Sequence, residues 1–163
     1  MTYKNCGAQE IPEQKDKIII ITGATSGLGK EATRVLSKKN ATVIMAVRNT
    51  EKANTVANEI RNEYPNAIMD IRSLDLGSLD SVKSFAKGIM ADYKNLDILI
   101  NNAGVMMCPY SKTKDSFEIQ MGTNHLGHFA LTGLLMPLLL STKNSRIVAT
   151  SSVAHKQGNI DFT

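Results

Sequence analysis

Ile18-Ile19-Ile20-Ile21-Thr22-Gly23-Ala24-Thr25-Ser26-Gly27-Leu28-Gly29-Lys30 decides the fold. Four β-branched residues in a row mark a strand buried on both faces, the kind found in a parallel sheet. The strand runs into a glycine-rich turn. Behind the turn, Leu28, Ala32, Val35 and Leu36 recur at helical spacing and predict a helix packed through those positions. Strand, glycine turn and helix in that order are the layout of a dinucleotide site. Gly23 permits the sharp turn out of the strand. Gly27 has no Cβ and leaves room for phosphates at the backbone. Gly29 lets the helix begin close to the sheet. The unpaired N–H groups of the first helical turn, with the helix dipole, then favour an anion.

The pattern repeats downstream. A second buried strand is expected over Thr42-Val43-Ile44-Met45-Ala46. A helix capped by Asn49 or Thr50 should reach Tyr64, presenting Ala53, Val56, Ala57 and Ile60, and Pro65 stops it. A third strand spans about residues 68–74. Ser78 caps a helix carrying Leu79, Val82, Phe85, Ile89 and Tyr93 on one face. Leu96 to Ile100 is the fourth strand. A long helical region covers about residues 117–140, weakened locally by Gly122, Gly127, Gly133 and Pro137, and Arg146 to Ser151 is the fifth strand. Alternating strands and helices predict an α/β fold: a Rossmann-type, doubly wound parallel sheet, truncated after the fifth strand. Residues 1–15 read as a flexible lead-in and 16–163 as one nucleotide-binding domain, C-terminally incomplete.

Composition narrows the function classes. The 163 residues are 42% hydrophobic and 21% charged, enough for one packed domain. Two cysteines, Cys6 and Cys108, make no disulfide framework and read as free thiols in a reducing, cytoplasmic setting. No run approaches the ~20 apolar residues of a membrane span, and Met1 to Lys17 holds no apolar signal segment. A charge of +4, scattered without a basic stripe, argues against a nucleic-acid partner. His125 and His128 stand three apart, but no further ligand sits at zinc-like spacing, so no metal site is expected.

Other candidate site residues follow the strands. Arg48 lies just past the second strand, where an acid would bind the ribose 2′-hydroxyl of NAD and an arginine accommodates the 2′-phosphate of NADP. Ala46-Val47-Arg48-Asn49 contains no acid, which favours NADP. Asp75, in Leu74-Asp75-Leu76, follows the third strand, and Asn101-Asn102-Ala103-Gly104 follows the fourth.

Thr22-Gly23-x-x-x-Gly27-x-Gly29 resembles the short-chain dehydrogenase/reductase family, as do Asn101-Asn102-Ala103-Gly104, Thr123-Asn124-His125-Leu126-Gly127-His128-Phe129 and Ser151-Ser152 at matching places. The likeness is greatest to its retinol-dehydrogenase-like and WW-domain-oxidoreductase-like branch. The resemblance implies cofactor binding by Gly23, Thr25, Ser26, Gly27, Leu28, Gly29, Arg48, Asp75, Leu76, Asn102, Ala103 and Gly104. It assigns Ser152 to polarise a substrate carbonyl, with Ser151 as the fallback. Asn124 is assigned to kink its helix and hold a relay water on its backbone carbonyl. The implied activity is NADP-dependent interconversion of alcohols and carbonyls on a lipophilic small molecule, by an enzyme that is a homo-oligomer at full length. The family also uses a Tyr-x-x-x-Lys pair as proton donor. Here no tyrosine follows Tyr110, Lys156 has none four residues before it, and Asp161-Phe162-Thr163 looks cut rather than finished. The competing reading is a catalytically inactive dinucleotide-binding or protein-interaction module.

Overall fold

The computed structural model describes residues 7–156 and 158; the expectations for Met1 to Cys6 and for Asp161 to Thr163 lie outside them. Five parallel strands form one sheet: β1 (Ile18–Thr22), β2 (Thr42–Val47), β3 (Ile68–Ser73), β4 (Ile98–Asn101) and β5 (Arg146–Ala149). Their order is β3-β2-β1-β4-β5, the doubly wound arrangement in which the chain reverses direction beside β1. The helices are α1 (Gly27–Lys38), α2 (Thr50–Glu63), α3 (Leu79–Asp92) and α4 (Gly127–Ser141).

Because β1 is central and covered on both sides, its isoleucines serve two separate cores. Ile20 joins Ile44, Leu99, Phe85, Leu131 and Leu135 under α3 and α4. Ile19 and Ile21 join Val43, Met45, Val56 and Ile60 under α2, with Ala32 and Leu36 of α1 packed against them. All three isoleucines are fully buried. The alternation along the strand divides one apolar run between two layers.

Caps and breaks match the local chemistry. The Asn49 side chain accepts the Lys52 N–H at 2.8 Å and starts α2. Ser78 does the same for Ser81 at 3.4 Å and starts α3. Several boundaries differ from expectation. β3 ends at Ser73 and β5 at Ala149, each short of the extended run in the sequence. The expected 117–140 helix starts at Ile119 and widens into a π turn over Met121–Leu126, and α4 continues through Pro137 to Ser141. The glycines in this region mark close approaches: a Cβ on Gly127 would strike the Leu76 carbonyl, and one on Gly122 the Thr113 methyl. Leu28 corrects the helical reading of α1, because it is 76% exposed while Val35 is buried. Position 28 lies at the helix mouth, over the groove described below.

The lead-in is partly tied down. Gln14 N–H donates to the Lys39 carbonyl, and Asn40 Nδ2 to Glu13 Oε1. β5 pairs with β4 alone among the described residues, and its four residues are exposed. Among the described residues no helix is long and apolar enough to cross a membrane.

Candidate cofactor and substrate grooves

Every strand delivers its C-terminal end to one rim of the molecule, and two adjoining grooves run along it. The first, about 520 Å³, is lined by Gly23, Thr25, Ser26 and Leu28 after β1, and by Arg48, Asn49 and Lys52 after β2. Leu74 and Leu76 after β3, Asn102 to Val105 after β4, and Thr150 after β5 complete it. The second, about 660 Å³, shares Asn102 to Val105 and Thr150 and adds Met106, Asn124, His128, Phe129, Ser151 and Ser152. Both volumes suit a small-molecule site.

The glycine turn has the shape its sequence demands. Gly23 and Gly27 have φ of +68° and +52°, the left-handed region that glycine adopts without strain. Around Gly27 a Cβ would meet nothing, so the turn is open there. Gly29 is the opposite case: a Cβ would collide with the Gly23 carbonyl and with Asn102 Nδ2. Ser26 occupies the N-cap of α1, yet its side chain makes no capping hydrogen bond. The first-turn N–H groups therefore have no side-chain cap. Open glycine backbone, uncapped amides and a positive helix end fit the diphosphate of a dinucleotide.

Two cations stand at the far end. Arg48 was legible as the residue past β2. Lys52 was not, because its only signal is its place on the first turn of a helix whose cap, Asn49, adjoins Arg48. Lys30, in the first turn of α1, pairs with Glu59 on α2 at 2.5 Å.

The floor is held by Thr22. Its hydroxyl oxygen accepts the backbone N–H groups of Asn102 and Ala103, each at 2.9 Å, and Asn102 Nδ2 donates to the Thr22 carbonyl at 2.9 Å. The hydroxyl also lies 2.9 Å from Nε2 of His128. On its other side, His128 Nδ1 lies 2.8 Å from the Asn124 carbonyl oxygen. A carbonyl only accepts, so Nδ1 carries the proton and Nε2 of the neutral ring accepts from Thr22. Burial is the main reason the His128 pKa is pushed below its ordinary value. His125 adds to this, while the Asn124 carbonyl opposes it.

The expected residues distribute unevenly. Asn124 and Ser152 border the second groove. The Asn124 side chain clamps the loop after β4, accepting the Val105 N–H and donating to the Val105 carbonyl, both at 2.8 Å. Asp75 does not line either groove: its Oδ1 accepts the Gly77 N–H at 3.0 Å, and Leu74 and Leu76 form the wall. Asn101 reaches Thr132 on α4 at 3.0 Å. Met106 and Phe129, both largely exposed, give the second groove an apolar flank. Among the described residues, no tyrosine lines either groove.

The short chain dehydrogenase family model matches residues 17–163. Human retinol dehydrogenase 11 is 50% identical over 146 residues, covering 90% of this chain and 46% of that protein. Human retinol dehydrogenase 13 is 47% identical over 146 residues, covering 90% of this chain and 44% of its own. The chain thus spans about half the length of the curated relatives it matches. A protein of Mycobacterium paratuberculosis superposes with a TM-score of 0.85 at 45% identity, over 97% of this chain and 54% of that one. A short chain dehydrogenase of Escherichia coli complexed with NADPH superposes with a TM-score of 0.77 at 34% identity, over 90% of this chain and 63% of that one.

Proposed function

The chain belongs to the short chain dehydrogenase family, and from that premise we propose that its 163 residues form an NADP(H)-binding half-site. The reaction of the whole protein is then hydride transfer between an alcohol and a carbonyl on a lipophilic small molecule. One observation carries the cofactor preference: Arg48 and Lys52 share a groove with the glycine turn of β1 and α1. Two cations at the β2 end suit a ribose 2′-phosphate, and no acid lies there to claim a 2′-hydroxyl. The Escherichia coli relative complexed with NADPH supports the same choice.

In this reading Thr25, Ser26 and the first-turn amides of α1 hold the diphosphate, and Leu74 and Leu76 flank the adenine side. Asn102 to Val105, held by Thr22 and Asn124, line the adenosine–ribose side. When bound, the nicotinamide ring supplies or accepts the hydride. The Ser152 hydroxyl orients a substrate carbonyl by donating to its oxygen, while Met106 and Phe129 offer apolar contact to the substrate body.

The second reading, a dinucleotide-binding module without turnover, is supported by the described residues, among which no tyrosine lines either groove. A fluorescence titration tests the proposal. NADPH should bind more tightly than NADH, and no carbonyl reduction should follow. Equal affinity, or no binding of either, overturns the cofactor assignment. Turnover that depends on Ser152 overturns the missing-acid argument.

A further inference from the structure

His128 has no part in the chemistry proposed above, yet it is 7% exposed and both ring nitrogens are engaged. The two groups it joins belong to different layers of the site. Thr22 ends β1 and carries the Asn102 and Ala103 amides, which form the floor shared by the two grooves. Asn124 lies in the π turn and grips Val105, three residues on from Asn102. The imidazole therefore closes a ring of contacts: Thr22 to the 102–103 backbone, along the chain to Val105, across to Asn124, and back through His128.

We propose that His128 is a positioning residue whose neutral ring locks this loop for cofactor binding, and whose protonation releases it. The inference rests on the cofactor reading above. Its physical basis is lone-pair counting. The Thr22 oxygen has two lone pairs, both filled by backbone N–H groups, and gives its proton to Nε2. A protonated ring would aim a second N–H at an oxygen with no lone pair left. Either one backbone amide lets go or the ring swings out. The hydroxyl proton has an alternative acceptor at hand, the Ile100 carbonyl at 3.4 Å.

Among the described residues no carboxylate lines the groove beside the ring to hold a positive charge. β1 presents Thr22, the end of β4 presents Asn101 and Asn102, and the segment after β5 presents Thr150, Ser151 and Ser152 in the same groove. α3 meets α4 through Val82, Phe85, Ala86 and Ile89, an apolar face. A titratable neighbour is His125, one turn earlier, whose electrostatic influence opposes a positive charge on His128.

Two conservative variants separate the links. His128→Gln sets an amide oxygen near the Nε2 position, able to accept from Thr22 without titrating. His128→Asn sets an amide N–H near Nδ1 and keeps only the Asn124 link. NADP⁺, stable in acid, is the probe, and calorimetry from pH 7.5 to 4.5 is the measurement. The ligand's own phosphate titration is common to all variants and cancels in the comparison. Wild-type affinity should fall about tenfold more than that of His128→Gln across this range, and His128→Asn should bind weakly throughout.

Amide NMR of the ligand-free chain supplies an independent readout. The Asn102, Ala103 and Val105 signals should shift together, with a midpoint below the usual histidine value, and stay fixed in His128→Gln. Parallel affinity profiles for wild type and His128→Gln, or amide signals that ignore the His128 titration, overturn the inference. If no variant binds NADP⁺ but the three amides still move with His128, the cofactor reading fails and the lock stands.

Discussion

Gly29 lies against the carbonyl of Gly23, so close that a methyl group on Gly29 would overlap that oxygen and approach Asn102 Nδ2 to 2.6 Å. This one contact sets how near α1 comes to the loop after β4. The glycine turn and the loop that floors the groove are thus spaced by a missing side chain.

Gly29→Ala should therefore destabilise the fold by about 1–3 kcal/mol, the cost of overpacking a tight site, and weaken NADPH binding with it. Gly27→Ala meets open space and carries only the left-handed backbone cost, about 1–2 kcal/mol. Thermal denaturation of both variants checks this. A Gly29→Ala protein that melts like wild type would remove the close-packing argument.

Arg48→Asp should reverse the NADPH-over-NADH preference. Losing one charge-assisted phosphate contact costs ~1.5–3 kcal/mol, roughly ten- to a hundredfold in Kd. Lys52→Gln should act in the same direction and lower the salt dependence of NADPH binding, since both cations are open to solvent screening. Titrations at low and high salt measure both effects, and an unchanged cofactor ratio in Arg48→Asp refutes the assignment.

Asn49→Ala removes the α2 cap and should cost about 1 kcal/mol of stability. Because that cap holds the Lys52 backbone beside Arg48, NADPH affinity should fall more than NADH affinity. Equal losses for the two cofactors would mean that the cap and the phosphate end are independent.

Tyr93 donates to Asp70 Oδ2 at 2.7 Å, and burial first, then this bond, pushes its pKa up to about 12. A raised folded-state value means the folded protein holds the phenol proton longer than the unfolded chain. The stabilisation is full below pH ~10 and is lost as pH rises through the folded value. Tyr93→Phe should be less stable than wild type by about 0.5–1.5 kcal/mol at pH 8. That gap should close by pH 12. Urea midpoints across this range read it directly, and a gap independent of pH contradicts the mechanism.

β5 should make the chain associate. Ile147 and Val148 are 45% and 46% exposed, and the outer edge of the strand has no partner strand among the described residues. Light scattering after size exclusion should show species larger than 17.8 kDa. Val148→Lys should shift the population toward monomer; an unassociated wild-type chain would count against this view.

Much of the fold was readable because its determinants are local. Ile18 to Gly29 carry their own instructions, and the α2 and α3 faces follow from 3.6-residue spacing. Boundaries failed where tertiary contact decides them. The π turn at Met121–Leu126 accommodates a helix that must bring Gly122 against Thr113 and Gly127 against Leu76. The placement of the groove residues was legible at Arg48 and at Asn102 to Gly104, which sit at strand ends. It was not legible at Thr22, whose side-chain partners lie 78 residues or more away in sequence, nor at His128, which spacing paired with His125 rather than with Thr22. Leu28 misled as a core position because apolar periodicity cannot tell a buried face from one that borders a groove.

Thr22 has one more consequence, in the cost of ordering. The backbone at residues 102 and 103 is fixed by a hydroxyl that belongs to the most deeply buried strand, so its freedom is lost when the sheet forms and not when a ligand arrives. A molecule entering the groove meets a floor already frozen by folding. Its association should then be fast and its heat-capacity change small, as for a rigid receptor.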